Sequence, residues 1–460
     1  MSRMAFYTAV NASYGTPQMG IIEATTPATL NTFAVEKDSS GNPNRIIISA
    51  HSSGAFTPNP KVFSYPTAVN AYNKPTGATA TVVVEKYYYS LPNVTSESDF
   101  FRFDSGISNP SASNTNSSNQ TVPWGTTVPN TSTDGAVNCY GCVRKGNFLY
   151  VVSYDIARVT RIDLNTATTT TAGFAGSATH GLIAGLTARG QGIALWNGEV
   201  YVLLNATTDS TTYADSIVVK INDTSPTTIA FDSHEVSVGK NAVGLVIGGD
   251  YMYVPCIGGR QQAGITNGTE SKICRIKDLN GTVVSEVVYS GAAGAYDFHG
   301  VAVGVTYTLI LHYLYDANYL TDWKLSKVLT SDFHDTVNES ITSLTAPYLR
   351  SGTGASGYFW GITYEAAYQQ FWFAQGNPLY IYPYNPGDRT AQQPAFFDMT
   401  ALYGNAGANM TAVDLTVDKT SANASGQAIL RSAVAHEVAM GQFANQAAYI
   451  EHLRKQEEAK

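Results

Sequence analysis

Along this chain the apolar residues come in short runs, alternating or unbroken, separated by Gly, Asn, Asp and Ser. Runs of that length bounded by turn formers predict β-strands. Five of them share one step, a Gly followed by two or three mostly apolar residues. The glycines are Gly141 in NCYGCV, Gly192 in RGQGIAL, Gly244 in NAVGLVI, Gly300 in DFHGVAV and Gly361 in YFWGITY, spaced by 51, 52, 56 and 61 residues. Turn chemistry such as Lys145-Gly146 or Asn197-Gly198 then leads into a second strand, whose Tyr150, Tyr201, Tyr253 or Leu309 falls nine positions after the Gly. A third strand repeats a basic residue beside Ile, in Arg161-Ile162, Lys220-Ile221 and Arg275-Ile276. Period-two alternation turns one of each pair inward and the other outward. The fourth strands, Thr227 to Phe231 and Thr282 to Tyr289, are more polar. A fixed period of this size with four strands inside it predicts an all-β fold, a β-propeller, whose inner strands crowd the axis and whose outer strands meet water.

Upstream, Thr32 to Val35, Arg45 to Ala50 and Lys61 to Tyr65 read as one further strand set. Thr79 to Val84, Tyr87 to Leu91 and Phe100 to Phe103 read as another, which makes seven blades the preferred count and six the alternative. Ser105 to Gly135 is rich in Ser, Asn, Thr and Pro and predicts an exposed excursion. The early strand Ala5 to Val10 is placed to close the ring by joining the last blade. The propeller thus spans residues 1–424. From Ser425 the pattern turns helical: Leu430, Val434 and Val438 form one stripe and Phe443, Ala447 and Ile450 a second. Residues 425–460 therefore predict an amphipathic docking segment, packed either on its own propeller or on another subunit.

The segment GNFLYVVSYDIARVTRIDLNTATTT, Gly146 to Thr171, is similar to the repeat of the YVTN, or YncE-like, seven-bladed propellers. In that repeat an aromatic-Val strand precedes a short loop, a Val-x-x-Ile-Asp strand and a Thr-rich exit. The likeness is partial at Val200 to Asn222 and Met252 to Asp278. It implies the fold and a binding or surface role, since the family carries no shared catalytic set. Asn205 to Asp215 and Ile257 to Ser271 depart from the compact family repeat as insertions in loops between second and third strands.

Composition narrows the partners. Charged residues make up 13% of the chain, against about 25% in an average domain, and the net charge is −8. Lys and Arg do not cluster before the last few residues, so the electrostatic footprint of a nucleic-acid binder is missing. No run of eighteen apolar residues predicts a membrane span, and MSRMAFYTAVNASYG lacks the plan of a Sec signal peptide. Four cysteines are too few for a disulfide framework. Cys139-Tyr140-Gly141-Cys142 has no second C-x-x-C to complete a zinc site. Cys256 and Cys274 fall on neighbouring strands, and they pair only if the register brings them close. No metal or cofactor is expected.

In a propeller, the segments before each first strand and the loops between second and third strands open on one face. The longest connections predicted here, including Ile257 to Ser271 and Tyr315 to Thr321, lie on that face, where binding is usually built. Tyr140, Arg189, Gln191, Lys240, Asn241, Asp297, His299 and Trp360 precede repeat glycines and are the candidate ligand residues, suited to a glycan or peptide. Asp297 and His299 also form a candidate acid–base dyad. The sequence therefore points first to a non-enzymatic structural or binding subunit of an extracellular or viral assembly, such as a phage tail, fibre or decoration component, with other protein subunits as partners. A surface lectin or adhesin that binds glycans is the alternative. A hydrolase or lyase built on Asp297 and His299 is the third reading.

Overall fold

Asn197 and Gly198 both take positive φ, 50° and 79°, the conformation a two-residue type I′ turn demands. The strand Leu186–Trp196 consequently folds straight back on Glu199–Thr207. Hairpins of this kind recur along the computed structural model. It describes residues 2–11, 18–24, 33–35, 45–47, 61–66, 84–90, 97–104, 124–129, 139–154, 156–163, 173–208, 212–259, 267–279, 281–291, 297–315, 321–330, 342–343, 359–365, 370–375, 380–384, 397–398 and 410–417. The strands of these residues pair into seven antiparallel sheets, six of them formed by consecutive strands. In chain order the six begin with the inner strands Lys61–Pro66, Cys139–Lys145, Leu186–Trp196, Val246–Gly248, Asp297–Val303 and Phe359–Glu365. They are the second to seventh sheets below. The fourth also carries the two-residue strand Leu182–Ile183 on its inner side.

The first sheet joins early strands of the chain to a late one. Ser2–Asn11 and Gln18–Ala24 supply its middle, and Met410–Val417 supplies its inner strand, paired from Ala5↔Val417 to Asn11↔Met410. Each inner strand packs on the next in order, and the seventh packs back on the first. The result is a closed ring of antiparallel sheets, a β-propeller, and the expected closure by Ala5 to Val10 is present.

Three of the repeat glycines lie close to the next inner strand, whereas a Cβ on a fourth, Gly244, would meet nothing within 4 Å. A Cβ on Gly141 would lie 3.1 Å from Cγ2 of Ile193, one on Gly192 3.5 Å from the amide nitrogen of Leu245, and one on Gly300 3.2 Å from Cγ2 of Ile362. In each case the neighbour is the residue just after the next repeat glycine. Immediately before the Gly the ladder slips by one residue. The shifts at Val152/Ser153, Gly190/Gly192, Phe298/Gly300 and Phe359/Gly361 leave Tyr140, Gln191, His299 and Trp360 as the extra residues of β-bulges. A fifth shift at Thr8/Ala9 does the same for Val413.

Hydrophobic layers fill the spaces between sheets. Tyr150 and Val152 pack with Val200, Val202 and Ile217, and Trp196 and Leu203 pack with Met252 and Val254. Because neighbours cover both faces of a sheet, the expected inward and outward alternation of Arg161 and Ile162 does not translate into exposure. Arg161 is 1% exposed and Ile162 fully buried. The guanidinium lies over the Phe148 ring at 4.7 Å and donates to the carbonyls of Ala175, Ser225 and Pro226, tying the third sheet to the fourth. The two sequence echoes meet across strands, since Tyr150↔Arg161, Tyr201↔Lys220, Tyr253↔Arg275 and Leu309↔Lys327 are register partners. Burial and the Asp223 carboxylate, 2.6 Å from its hydroxyl, push the Tyr150 phenol well above its ordinary range.

Other boundaries move. Lys61–Pro66 opens the second sheet and does not close the first. Only Val84 of the Thr79 to Val84 run falls in a strand, Val84–Ser90, and the rest of that run lies outside the described residues. Inside the predicted excursion, Trp124–Pro129 is the outer strand of the second sheet. Asn205 to Asp215 is mainly strand, with Ala206↔Ala214 and Thr207↔Tyr213 extending the ladder. Residues 425–460, with Leu430, Val434, Val438, Phe443 and Ile450, lie outside the described residues.

Two substitutions test this packing. A Cβ on Gly190 would overlap the Ser153 carbonyl and approach Cγ2 of Val152 to 2.6 Å, whereas one on Gly181 would meet nothing within 4 Å. Thermal unfolding should therefore show Gly190→Ala destabilised by about 3 kcal/mol and Gly181→Ala unchanged. Ser271 Oγ, fully buried, accepts from the Phe298 amide at 2.7 Å and donates to the Cys256 carbonyl at 3.2 Å, bridging the fifth and sixth sheets. Ser271→Ala leaves that amide unpaired and should cost about 1–3 kcal/mol in chemical denaturation.

Candidate functional site at the loop-bearing end of the ring

The antiparallel order places the starts of the inner strands, the entries from the preceding sheets and the turns between second and third strands at one end of the ring. Of the eight candidate residues, Tyr140, Gln191, His299 and Trp360 share one structural role as the bulge residues of four inner strands. The side chains of Tyr140 and Trp360 lie outside the described set. Gln191 is half-buried, and its Oε1 accepts a long, 3.5 Å bond from Asn205 Nδ2. Asn205 is buried and also donates to the Ala242 carbonyl at 3.0 Å, while Ser216 Oγ donates to Asn205 Oδ1 at 2.8 Å. Gln191 thereby rests on a polar relay between the fourth and fifth sheets.

The remaining four occupy other places. Arg189 is on the same inner strand as Gln191, with its guanidinium 5.3 Å from the centre of the Tyr154 ring. Lys240 ends the outermost strand of the fourth sheet, Ala230–Lys240, and reaches Glu270 across a 2.7 Å ion pair. That ammonium, together with a 2.9 Å bond from the Gly259 amide, holds the Glu270 carboxyl below its usual range. Asn241 follows with a positive φ of 49° and is 4% exposed. Its carbonyl accepts from the Ile257 amide at 3.1 Å. Asp297, fully buried, accepts from the Asn267 amide at 3.0 Å and from Asn267 Nδ2 at 3.0 Å. Lys240 and Asp297 therefore fasten the described ends of the 257–271 connection to the rim of the ring.

The bulge separates Asp297 from His299, and the electrostatics run against an acid–base pair. A carboxylate partner raises an imidazole. Here burial, aided by repulsion from His312, lowers His299 to about 3. Its ring faces that of Tyr313 with centroids 4.2 Å apart. This imidazole stays neutral at physiological pH.

The thiols divide in the same way between structure and chemistry. Val254↔Cys274 and Cys256↔Lys272 are the register partners, so Cys256 and Cys274 stand diagonally across the ladder, buried and free. Cys139 to Cys142 lies in the bulged inner strand of the third sheet, and Cys142 carries no disulfide. Among the described residues no group of three or more His, Cys, Asp or Glu could hold a metal ion. No helix among them is long and apolar enough to cross a membrane, which says nothing about crossing by strands.

Sequence reasoning missed Ser216 and Ser271, which bond to amides of the following sheet, Ala242 and Phe298. Their spacing of 55 residues, close to the 56 between Gly244 and Gly300, was the available signal.

No family model matches the chain, and no curated protein matches it. Solved structures do resemble it. A putative 6-phosphogluconolactonase from Bacteroides uniformis is 9% identical, covers 91% of this chain and 100% of its own, and gives a TM-score of 0.45. A functionally unknown protein from Desulfotomaculum acetoxidans is 8% identical over 90% of this chain and 99% of its own, with a TM-score of 0.46. The β-propeller domain of the Trilobed protease from Pyrococcus furiosus is 9% identical over 73% and 85%, with a TM-score of 0.35. At these levels none of them bears on what this chain does.

A neutral, half-buried His299 has a consequence for stability. Its folded value of about 3 lies below the ordinary 6.5, so the unfolded chain binds the proton first as pH falls. The associated stability is complete above about 6.5 and declines as pH falls toward about 3. Thermal melts across that window should show a steeper loss for the wild type than for His299→Gln.

Proposed function

We propose that the chain is a seven-bladed β-propeller acting as a non-enzymatic structural or binding subunit of an extracellular or viral assembly, of the kind found in phage tails, fibres and decoration proteins. The observation that carries this reading is the polarity of the first sheet. With Ala5↔Val417 at one end of the pairing and Asn11↔Met410 at the other, Ser2–Asn11 begins and Met410–Val417 ends at the hairpin end of the ring. The loop-bearing end lies opposite. One face thus carries Val417, from which the sequence runs on toward the amphipathic pattern of 425–460, and the other carries the bulges and the described ends of the 257–271 connection. A ring closed by pairing an early strand with a late one and bridged by buried polar bonds is a rigid mount for two-sided contact.

Kinship with the YVTN repeat is part of the same reading, supported by the recurring cross-strand pairing of Tyr with Arg or Lys. The hydrolase reading has less support, because Asp297 is engaged by Asn267 and His299 is held neutral.

Density-gradient fractionation of the native source, following the chain by peptide mass spectrometry, is the test. The expected result is co-migration with particles, and its loss on deleting residues 425–460 while the β-sheet circular dichroism persists. Recovery as a soluble monomer with or without that segment would overturn the reading.

A further inference from the structure

The second and third strands of the fifth sheet, Tyr251–Cys256 and Lys272–Leu279, each bring one cysteine into the apolar layer shared with the fourth sheet. Val254↔Cys274 and Cys256↔Lys272 are register partners, and residues two apart on a strand share a face. Cys256 and Cys274 are therefore diagonal neighbours on one face, and Lys272 stands on it beside both. The thiols are 0% and 2% exposed. They hydrogen-bond to each other, and both accept from the amide of Gly239 on the outer strand of the fourth sheet.

Gly239 leaves room for this group. A Cβ there would lie 2.6 Å from Cε of Lys272, 2.7 Å from Cβ of Cys256 and 2.9 Å from its Sγ. The space a side chain would take is filled by one sulfur and by the arm of Lys272, whose ammonium acts on both thiols. Ser285 on the outer strand of the fifth sheet also bonds to Cys274. An amide, an ammonium and a hydroxyl converging on two buried sulfurs suit a pair that carries negative charge, which packing alone does not call for.

The spacing favours an ion between the sulfurs over a bond between them. Diagonal neighbours on paired antiparallel strands stand about 7–8 Å apart at Cα, beyond the roughly 4.4–6.8 Å that a disulfide spans. One bridging atom lengthens the link and removes the mismatch. Soft thiolates select copper(I), for which two are enough, whereas structural zinc takes four ligands and the described residues offer no group of three.

We propose that Cys256 and Cys274 form a two-coordinate thiolate site for copper(I), in the layer between the fourth and fifth sheets near the loop-bearing end. On binding, two S–H bonds break, two Cu–S bonds form and two protons leave to solvent, with no change of oxidation state. The dithiolate–copper unit carries one net negative charge, which the Lys272 ammonium balances. Lys272 is half-buried, and its flexible arm is the element that moves to admit the ion. The site does not depend on the assembly reading.

The chain has four cysteines, so Cys139→Ser/Cys142→Ser leaves Cys256 and Cys274 as its only thiols. The test is anaerobic titration of wild type and of this full-length variant with copper(I) against a copper(I) chelator. The variant should retain one equivalent per chain, with zinc(II) unable to compete, and its X-ray absorption spectrum should show two sulfur ligands. Adding Cys256→Ala or Cys274→Ala should abolish retention. Lys272→Met should weaken it about tenfold and Lys272→Arg restore it. Thermal melts identify any variant that fails to fold, and if both alanine variants do, the absorption spectrum decides. No retention in wild type, retention lost with Cys139 and Cys142, retention that survives in a folded alanine variant, or nitrogen and oxygen coordination would overturn the proposal.

Discussion

The structure depends on how closely neighbouring inner strands approach around the axis. Sheets set radially are nearest at their inner edges, and there an added side chain on one strand meets the side chains of the next. Gly141 and Gly300 show the limit, since an added Cβ would press on Ile193 and Ile362 at 3.1 and 3.2 Å. Glycine relieves the crowding on one side, and the bulge just before it lets the strand keep its hydrogen bonds while shifting register. In the third, fourth, sixth and seventh sheets the inserted residue stands one position before the repeat glycine.

Radial packing also changes what burial means. A sheet between two others has no solvent face, so both sets of alternating side chains are enclosed and any polar group among them needs a partner. Arg161 meets this demand with three carbonyls and an aromatic face. Lys145 meets it with Glu199 and Asp223: burial opposes its charge, but the two carboxylates outweigh that and raise the ammonium above its ordinary range. The apolar layers supply most of the cohesion, at roughly 25 cal/mol per Å² of buried surface, and they are indifferent to small rotations of one sheet on the next. Directional bonds from Ser216, Ser271 and Asn205 fix that rotation.

The two ends of the ring inherit different chemistry from the same topology. Hairpins such as Asn197-Gly198 make one end short-looped, and the chain's own closing strands emerge there. The other end collects the entries from preceding sheets and the described ends of the 257–271 connection, which Lys240–Glu270 and Asp297–Asn267 hold in place.

Strand identity, the order of strands within each unit and the positions of the repeat glycines were legible in the sequence. They depend on residues close together in the chain: a turn former, a period of two, a Tyr nine positions after a Gly. The first two sheets were harder to read because Lys61–Pro66 and Met410–Val417 carry no repeat Gly, so strands were grouped wrongly across their boundary. Among the candidate residues, the sequence placed Gln191 and His299 before a Gly but could not tell what each would touch: Gln191 meets Asn205 and His299 meets Tyr313, whereas Lys240 and Asp297 fasten the described ends of a loop. Only the tertiary structure made that distinction, since partners such as Asn267 and Glu270 lie some thirty residues away and meet them only once the sheets are in place. Local sequence determined which segments form strands and where they turn. The closing of the ring decided which polar groups were consumed in holding it, because those contacts exist only between sheets.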